Sequence, residues 1–320
     1  MILYRSVDEI SAPLNKAVVT IGNFDGVHLG HREMFRRLKS AARQLGGVSV
    51  VVTFHPHPLH VIDPSSSLTL INTLDEKITL IEASGIDYLI VIPFTPEFAS
   101  ISAEDFVKKI LVRKIGMKRV IIGYDYAFGR ERKGNSRMLE ALGKELLFEV
   151  EELSPISTGD TVYSSSLIRN MIREGNVSDV VLFLGRHFSL AGRVVHGAHR
   201  GKELGFPTAN IATDKDLIPA DGVYAVKVKI GEKFYDAACN IGSNPTFGAA
   251  PVSIEVFVLD FNMELYDSEM RVYFIERIRE EKKFDSADDL KNAIASDVAK
   301  CRSILESTSL VFYREYLEGV

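Results

Sequence analysis

Residues 48–54, VSVVVTF, are apolar or β-branched at nearly every position. A strand with one wet face alternates apolar and polar side chains; this one offers water no face, which predicts a strand buried on both sides, as in a parallel sheet covered by helices. The neighbouring chain repeats the demand. Ala17–Ile21, Tyr88–Pro93 and 119–123 are further strand-sized runs. Between them, 31–45 sets Met34, Phe35, Leu38, Ala41 and Ala42 on one helical face, and 75–84 and 103–115 also read as helices. Strand and helix alternating at this pace predict a Rossmann-like, doubly wound α/β sheet whose ligands sit at the carboxyl ends of the strands.

The texture changes near residue 185. Short β runs at Ser189–Val195, Gly222–Ile230, 233–240, 252–261 and 270–274 are separated by Gly, Pro and Asn, the spacing of a small antiparallel barrel. Residues 286–305 then read as a closing helix with Ser286 as N-cap and Asp288 and Asp289 in the first turn. With 320 residues, twice the usual domain size, the chain predicts two domains, 1–185 and 186–320.

Composition narrows the classes of function. A hydrophobic share of 46% with 25% charged residues excludes a largely disordered chain, and a net charge of −5 supplies no global field for nucleic acid or anionic lipid. The longest apolar runs fall far short of the roughly 20 residues of a membrane span, and the first residues lack the basic start and apolar core of a signal peptide. Cys239 and Cys301 are too few and too separated for a disulfide framework or a cysteine zinc site. The expectation is a cytoplasmic protein without nucleic-acid or membrane partners; the sequence leaves its oligomeric state open.

Two constellations carry chemistry. The first, TIGNFDGVHLGH at 20–31, joins the first strand to the first helix. Gly22, Gly26 and Gly30 allow close backbone approach, the helix start offers N–H groups and a partial positive charge to an anion, and His28 and His31 sit three apart across the first turn. The GxGxxG spacing and the Lys-Ser/Thr of a P-loop are both missing, so neither phosphate motif applies. Nucleotidyl transfer fits: a phosphate oxygen attacks the α-phosphorus of ATP, pyrophosphate leaves, and the protein has only to align groups and neutralise charge. A zinc site from His55, His57 and His60 is a weaker reading, because Pro56 and Pro58 hold that stretch extended and no HExxH or cysteine ligand supports it.

The second constellation is 196–210, HGAHRGKELGFPTAN, a glycine- and cation-rich loop able to wrap phosphates. Thr208 and Asn210 are hard oxygen ligands suited to Mg²⁺, and alternation along an extended segment puts both on one face. Glu255 is a charge within an apolar strand: either a base for an attacking hydroxyl or an outward-facing side chain.

GNFDGVHLGH resembles the signature of the bacterial bifunctional riboflavin kinase/FMN adenylyltransferases, the FAD synthetases. TFHPHP at 53–58, PFTPEFASISAEDFV at 93–107, GYDYAFGRERKGN at 123–135 and SSSLIRNMIREGNV at 164–177 follow in the family's order. So do GKELGFPTANI at 201–211, DGVYAV at 221–226, NIGSNPTF at 240–247, SIEVFVLDF at 253–261 and RIREEKKF at 277–284. The resemblance covers nearly the whole chain. It implies an HxGH nucleotidyltransferase-type sheet followed by a riboflavin kinase-type barrel.

The resemblance also implies site residues. His28 and His31 would be catalytic for adenylyl transfer, with Gly22, Asn23, Phe24, Asp25, Gly26, Gly30, Asp125, Ser164, Ser165 and Arg169 on ATP and its phosphates. Glu255 would be the base for the riboflavin 5′-hydroxyl. Gly197, Lys202, Gly205, Phe206, Pro207, Thr208 and Asn210 would hold ATP and flavin, and Thr208 and Asn210 the Mg²⁺. The implied substrates are riboflavin, FMN and ATP. Five positions depart from the family pattern: Ser166 stands for Thr, Ala127 for Arg, Asn244 for Arg, Phe257 for His and Asp267 for Gly. A flavin-binding regulator with one inert module, or an HxGH transferase for another acceptor, are the competing readings.

Overall fold

The computed structural model of the protein describes residues 1–124, 126–158, 161–197, 205–242, 252–261 and 264–311. They belong to two compact units that divide the chain between Ser165 and Ser166.

In the first unit, β1 (Ile2–Tyr4), β2 (Ala17–Ile21), β3 (Ser49–His55), β4 (Tyr88–Pro93), β5 (Met117–Gly123) and β6 (Glu149–Leu153) form one sheet in the order β1-β4-β3-β2-β5-β6. Every pairing is parallel. The continuous apolar runs have the cause the sequence predicts, because alternate side chains enter two different cores. Val19, Val50, Val52, Ile90, Ile92, Val120 and Ile122 face one cluster. Val18, Val51, Leu89, Val91 and Ile121 face the other. The first cluster is closed by the helices Phe106–Ile115 and Ser136–Leu146, through Val107, Leu111 and Leu139 among others. The second is closed by α1 (Leu29–Leu45), through Phe35, Leu38, Ala41 and Ala42, and by α2 (Leu74–Ala83), through Leu80 and Ile81.

Helix α1 starts two residues before the expected point because His28 takes the extended backbone of an N-cap residue, and it stops at Gly46 in the left-handed region. From β2 the chain winds through β3 and β4, then returns to place β5 on the opposite flank of β2. That reversal opens a crevice at the carboxyl ends of β2 and β5. The loops leaving those two strands are the first histidine motif and the GYDYAFG segment. A small ribbon of β7 (Ser157–Thr158) and β8 (Thr161–Val162) follows.

The helix Ser165–Arg173 has its first residue in the first unit; the second unit holds its remainder, the helix Val177–Leu184 and a closed antiparallel barrel. Its strands are β9 (Ser189–Val195), β10 (Ala209–Ala212), β11 (Gly222–Ile230), β12 (Lys233–Gly242), β13 (Ser253–Val258) and β14 (Glu269–Arg279), ordered β10-β13-β12-β11-β14-β9 with β9 pairing back to β10. The expected strand 252–261 is shorter because Asp260 takes φ +54 in a turn. The expected 270–274 extends to Arg279, and 209–212, read as part of a loop, pairs as β10.

Tyr224 meets Phe274 edge-on at 5.3 Å inside the barrel, while its neighbour Ala225 turns outward under the closing helix Ala287–Glu306 beside Ile275, Cys301 and Leu305. Ser286 caps that helix as expected, accepting the Asp289 N–H at 3.1 Å. The helix is pinned by an ion pair: the Arg279 guanidinium donates to both carboxylate oxygens of Asp297, at 2.8–3.1 Å, and Asp297 is only 5% exposed.

Removing one member of such a pair strands the other. Asp297→Ala is expected to destabilise the second unit by about 2–4 kcal/mol, less than a fully buried pair because Arg279 keeps some solvent. The double replacement Arg279→Met/Asp297→Leu should recover most of the loss. Denaturant unfolding of the three proteins checks both statements.

Candidate functional site

The loop after β2 is built around a conformation that the chain would not choose freely. Phe24, Gly26 and Val27 have φ values of +48, +85 and +39, and for the β-branched Val27 that geometry is costly. It is held by burial of Phe24 and Val27, at 3% and 0% exposure, and by bonds from outside the loop. The Ser165 hydroxyl donates to the Asp25 carbonyl at 2.8 Å, and the Thr53 hydroxyl donates to the Asn23 carbonyl at 3.3 Å. The Asp25 carboxylate, itself buried, accepts the backbone N–H groups of Ile71 at 3.0 Å and Asn72 at 3.3 Å. Asp25 is therefore a brace for the loop. Gly22 is needed because a side chain there would press on the Phe24 ring.

That loop delivers the two histidines. Gly30 leaves room for the His28 imidazole, which stacks on His31 with centroids 3.6 Å apart and planes 21° apart. Phe24 meets the His31 ring edge-on at 5.2 Å. The His31 Nδ1 is buried and has no hydrogen-bond partner among the described residues. Desolvation, then the neighbouring His28 and then Lys77, holds the His31 imidazole well below its usual pKa, so at neutral pH it is an uncharged ring with one N–H to give. Both rings sit at the start of the 17-residue α1, whose first N–H groups have no intrahelical partner. The arrangement can hold and polarise an anion without a proton exchange of its own.

The structure brings Gly22, Asn23, Phe24, Asp25, Gly26, His28, Gly30, His31 and Ser165 together in this loop. Ser164 directly precedes the helix that Ser165 opens. Arg169, on that helix, donates to the Ser166 hydroxyl at 3.2 Å. In the loop after β5, Tyr126 stacks on Phe128 at 5.3 Å and Ala127 lies between them in the chain, while Asp125 lies outside the described residues. His57 caps the turn Pro58–Ile62, and His60 bonds the Leu68 carbonyl at 2.9 Å. No group of three His, Cys, Asp or Glu side chains placed to hold a metal occurs among the described residues.

The second cluster lies on the outward face of the barrel. In β13, Ile254, Val256 and Val258 are buried and Ser253, Glu255 and Phe257 face the other way. Glu255 stands opposite Asn210 of β10 on one side and Asn240 of β12 on the other. The Thr208 hydroxyl donates to the Glu255 carboxylate at 3.2 Å. A side chain at Gly197 would overlap the Asn210 amide, so glycine is required there. Phe206 meets Phe257 edge-on at 5.5 Å, which gives the unexpected Phe257 a packing partner. Gly205 turns at φ +87 and Pro207 is exposed; Lys202 and Asn244 lie outside the described residues. Hydroxyl, amide and carboxylate oxygens converge here, a donor set that suits a hard divalent cation.

Two residues escaped the sequence reading. Asn240 was legible only as part of NIG, and the register that sets it beside Glu255 is a tertiary fact. Lys77 is 3% exposed on α2, and its signal was present: it takes the i+3 place in the apolar spacing Leu74, Lys77, Ile78, Ile81.

Comparison with known proteins agrees with this division. The family model described as FAD synthetase matches residues 10–167, and that described as riboflavin kinase matches 184–305. The bifunctional riboflavin kinase/FMN adenylyltransferase of Escherichia coli (strain K12) is 34% identical over 310 residues, covering 96% of this chain and 99% of that protein. The Bacillus subtilis (strain 168) protein of the same name is 36% identical over 289 residues, covering 88% and 90%. Among solved structures, a Streptococcus pneumoniae protein described as a macrolide-efflux protein has a TM-score of 0.86 at 33% identity, over 94% of this chain and 98% of that one.

One departure from the family pattern has a direct structural reading. Asp267, where glycine is usual, has φ +64, the left-handed region that glycine enters freely. It is retained by its N–H bond to the Val194 carbonyl at 2.9 Å and a 3.1 Å ion pair with Arg193. The ion pair is exposed and worth little. Asp267→Gly is therefore expected to be neutral or stabilising, by up to about 1 kcal/mol, and Asp267→Val to be destabilising by more. Thermal unfolding of the two variants separates these outcomes.

Proposed function

The chain belongs to the bifunctional riboflavin kinase/FMN adenylyltransferase family, and from that membership we infer that it phosphorylates riboflavin to FMN with ATP and adenylylates FMN to FAD with release of pyrophosphate. The observation that carries this reading is the tandem match of two catalytic families to one chain, FAD synthetase over 10–167 and riboflavin kinase over 184–305. We assign adenylyl transfer to the domain 1–185 and phosphorylation to 186–320. No helix among the described residues is long and apolar enough to cross a membrane, and Cys239 and Cys301 are buried free thiols; a cytoplasmic enzyme, supplied with ATP, fits both.

In the adenylyl transfer step, a phosphate oxygen of FMN attacks the α-phosphorus of ATP and the bond to the bridging oxygen of pyrophosphate breaks. The nucleophile is already an anion, so no base is needed. The requirement is alignment and charge stabilisation, which the ring N–H donors of His28 and His31 and the first amides of α1 can supply. The strained loop contributes by being fixed beforehand, so that little reorganisation accompanies the reaction.

In the kinase step, the riboflavin 5′-hydroxyl gives its proton to the Glu255 carboxylate as its oxygen attacks the γ-phosphorus, and ADP leaves. The Thr208–Glu255 hydrogen bond supports this by fixing the carboxylate. Thr208 and Asn210 have the oxygen ligands for Mg²⁺, which would neutralise phosphate charge when bound. This is the role we assign them.

Incubation with riboflavin, ATP and Mg²⁺, followed by chromatography of the flavins, should yield both FMN and FAD. FMN alone, or neither flavin, would instead support the regulator of the competing reading. Two variants dissect the steps. His31→Ala should slow conversion of FMN to FAD by about 10²–10³-fold while riboflavin phosphorylation persists. Glu255→Gln should do the reverse, slowing phosphorylation by about 10²–10⁴-fold while added FMN still becomes FAD. If each variant retained wild-type rates in both steps, the assigned roles would be wrong.

A further inference from the structure

Lys77 is placed where a lysine costs the fold most. It occupies an apolar-stripe position of α2, beside Leu80 and Ile81, and is 3% exposed. Removing an ammonium from water costs several kcal/mol unless a partner repays it. It lies near the start of α2, where the helix dipole repels a cation. Among the described residues its ammonium makes no hydrogen bond or ion pair. A leucine or methionine would serve the core better.

The topology says what this cation faces. α2 is the crossover from β3 to β4, and because those strands are parallel it begins at their carboxyl edge and runs back along the sheet. Its start is tied to the histidine loop: Asp25 accepts the N–H groups of Ile71 and Asn72, the Asn72 amide donates to Glu76 at 3.1 Å, and Thr73 and Glu76 form a capping box. Burial lowers the pKa of His31, after β2, and of His55, at the end of β3, and the charge of Lys77 adds to the lowering of each. Asp25 attracts the ammonium, yet burial outweighs that attraction and the lysine pKa is lowered overall. The carboxylate is already shared with two backbone donors and does not balance the buried charge.

We propose that Lys77 is a phosphate-binding residue of the adenylyl transfer site, its ammonium taking an oxygen of a substrate phosphate. This rests on the adenylyltransferase reading of the first unit. The chemistry is complementary: His31 offers a neutral donor, the helix start offers partial charges, and Lys77 adds a full positive charge for the polyanion that ATP and FMN bring together. The cost to folding is then offset when substrate binds.

The test compares wild type with Lys77→Met and Lys77→Arg, varying ATP and FMN separately in FAD formation, with riboflavin phosphorylation and thermal midpoint measured on the same preparations. Lys77→Met should raise the KM for one phosphate substrate by about 10- to 100-fold, the worth of a charge-assisted hydrogen bond. It should leave the thermal midpoint unchanged or higher, because an uncompensated buried charge is gone. Lys77→Arg should recover part of the KM. A change confined to ATP identifies the triphosphate as the ligand, and one confined to FMN the acceptor phosphate; either supports the proposal. Unchanged KM values for both substrates overturn it. So does a lowered midpoint with KM values intact, which would make Lys77 a structural counter-ion. If wild type itself made no FAD from FMN, the adenylyltransferase reading would fail before any variant was measured.

Discussion

The buried carboxylate of Asp25 is the constraint on which the first unit depends. It lies in the loop after β2, and its two acceptor oxygens collect backbone N–H groups from the segment that opens α2. One residue thereby ties two other segments to its own loop, since the Asp25 backbone carbonyl also receives the Ser165 hydroxyl. A buried carboxylate is tolerated because it is hydrogen-bonded, and it converts a strained turn into a stable one. The stacked imidazoles, the helix N-terminus and the buried lysine all take their places from that brace.

The barrel solves the same problem by another route. No strained loop is needed to collect its polar groups, because antiparallel register does so: Asn210, Glu255 and Asn240 are neighbours across three strands. Cross-strand pairs on one face lie close together whatever their separation in sequence. The inner face of these strands carries Val256, Cys239 and Ile241, which makes the row rigid. One unit therefore presents chemistry on a loop held by a sheet, and the other presents it on the sheet itself.

Much of this was legible in the sequence because local rules and global fold agree. β2, β4, β9 and β11 have the expected limits, since each is an apolar run ended by Gly, Pro or a polar turn. Agreement failed where tertiary pairing overrode local appearance. β10 hides behind Pro207 and looks like loop; it becomes a strand only because β9 and β13 flank it. β14 runs on through Glu276, Arg277 and Arg279, whose charges mask a strand but are absorbed by contacts such as Arg279 with Asp297. β1 and β6 sit at the sheet edges, where short or charged strands carry little pattern. The histidine pair and the Thr208–Asn210–Glu255 group were singled out from motif chemistry and family resemblance, and the structure sets His28 against His31 and Thr208 and Asn210 beside Glu255. Lys77 was not, because a lysine in an amphipathic helix is by default read as solvated.

The parallel order of the first sheet also has a consequence during synthesis. β2 pairs with β5 in a register that joins Ala17 to Met117, so one flank of a wholly buried strand finds its partner one hundred residues later. At a ribosomal pace of about 5–20 residues per second, that apolar edge stays bare for roughly 5–20 s. Through that interval AVVTI is an open template for any other extended chain. The seam beside the crevice thus closes late, followed only by that between β5 and β6, and the nascent chain is open to mispairing along the strand whose loop leads to the histidines.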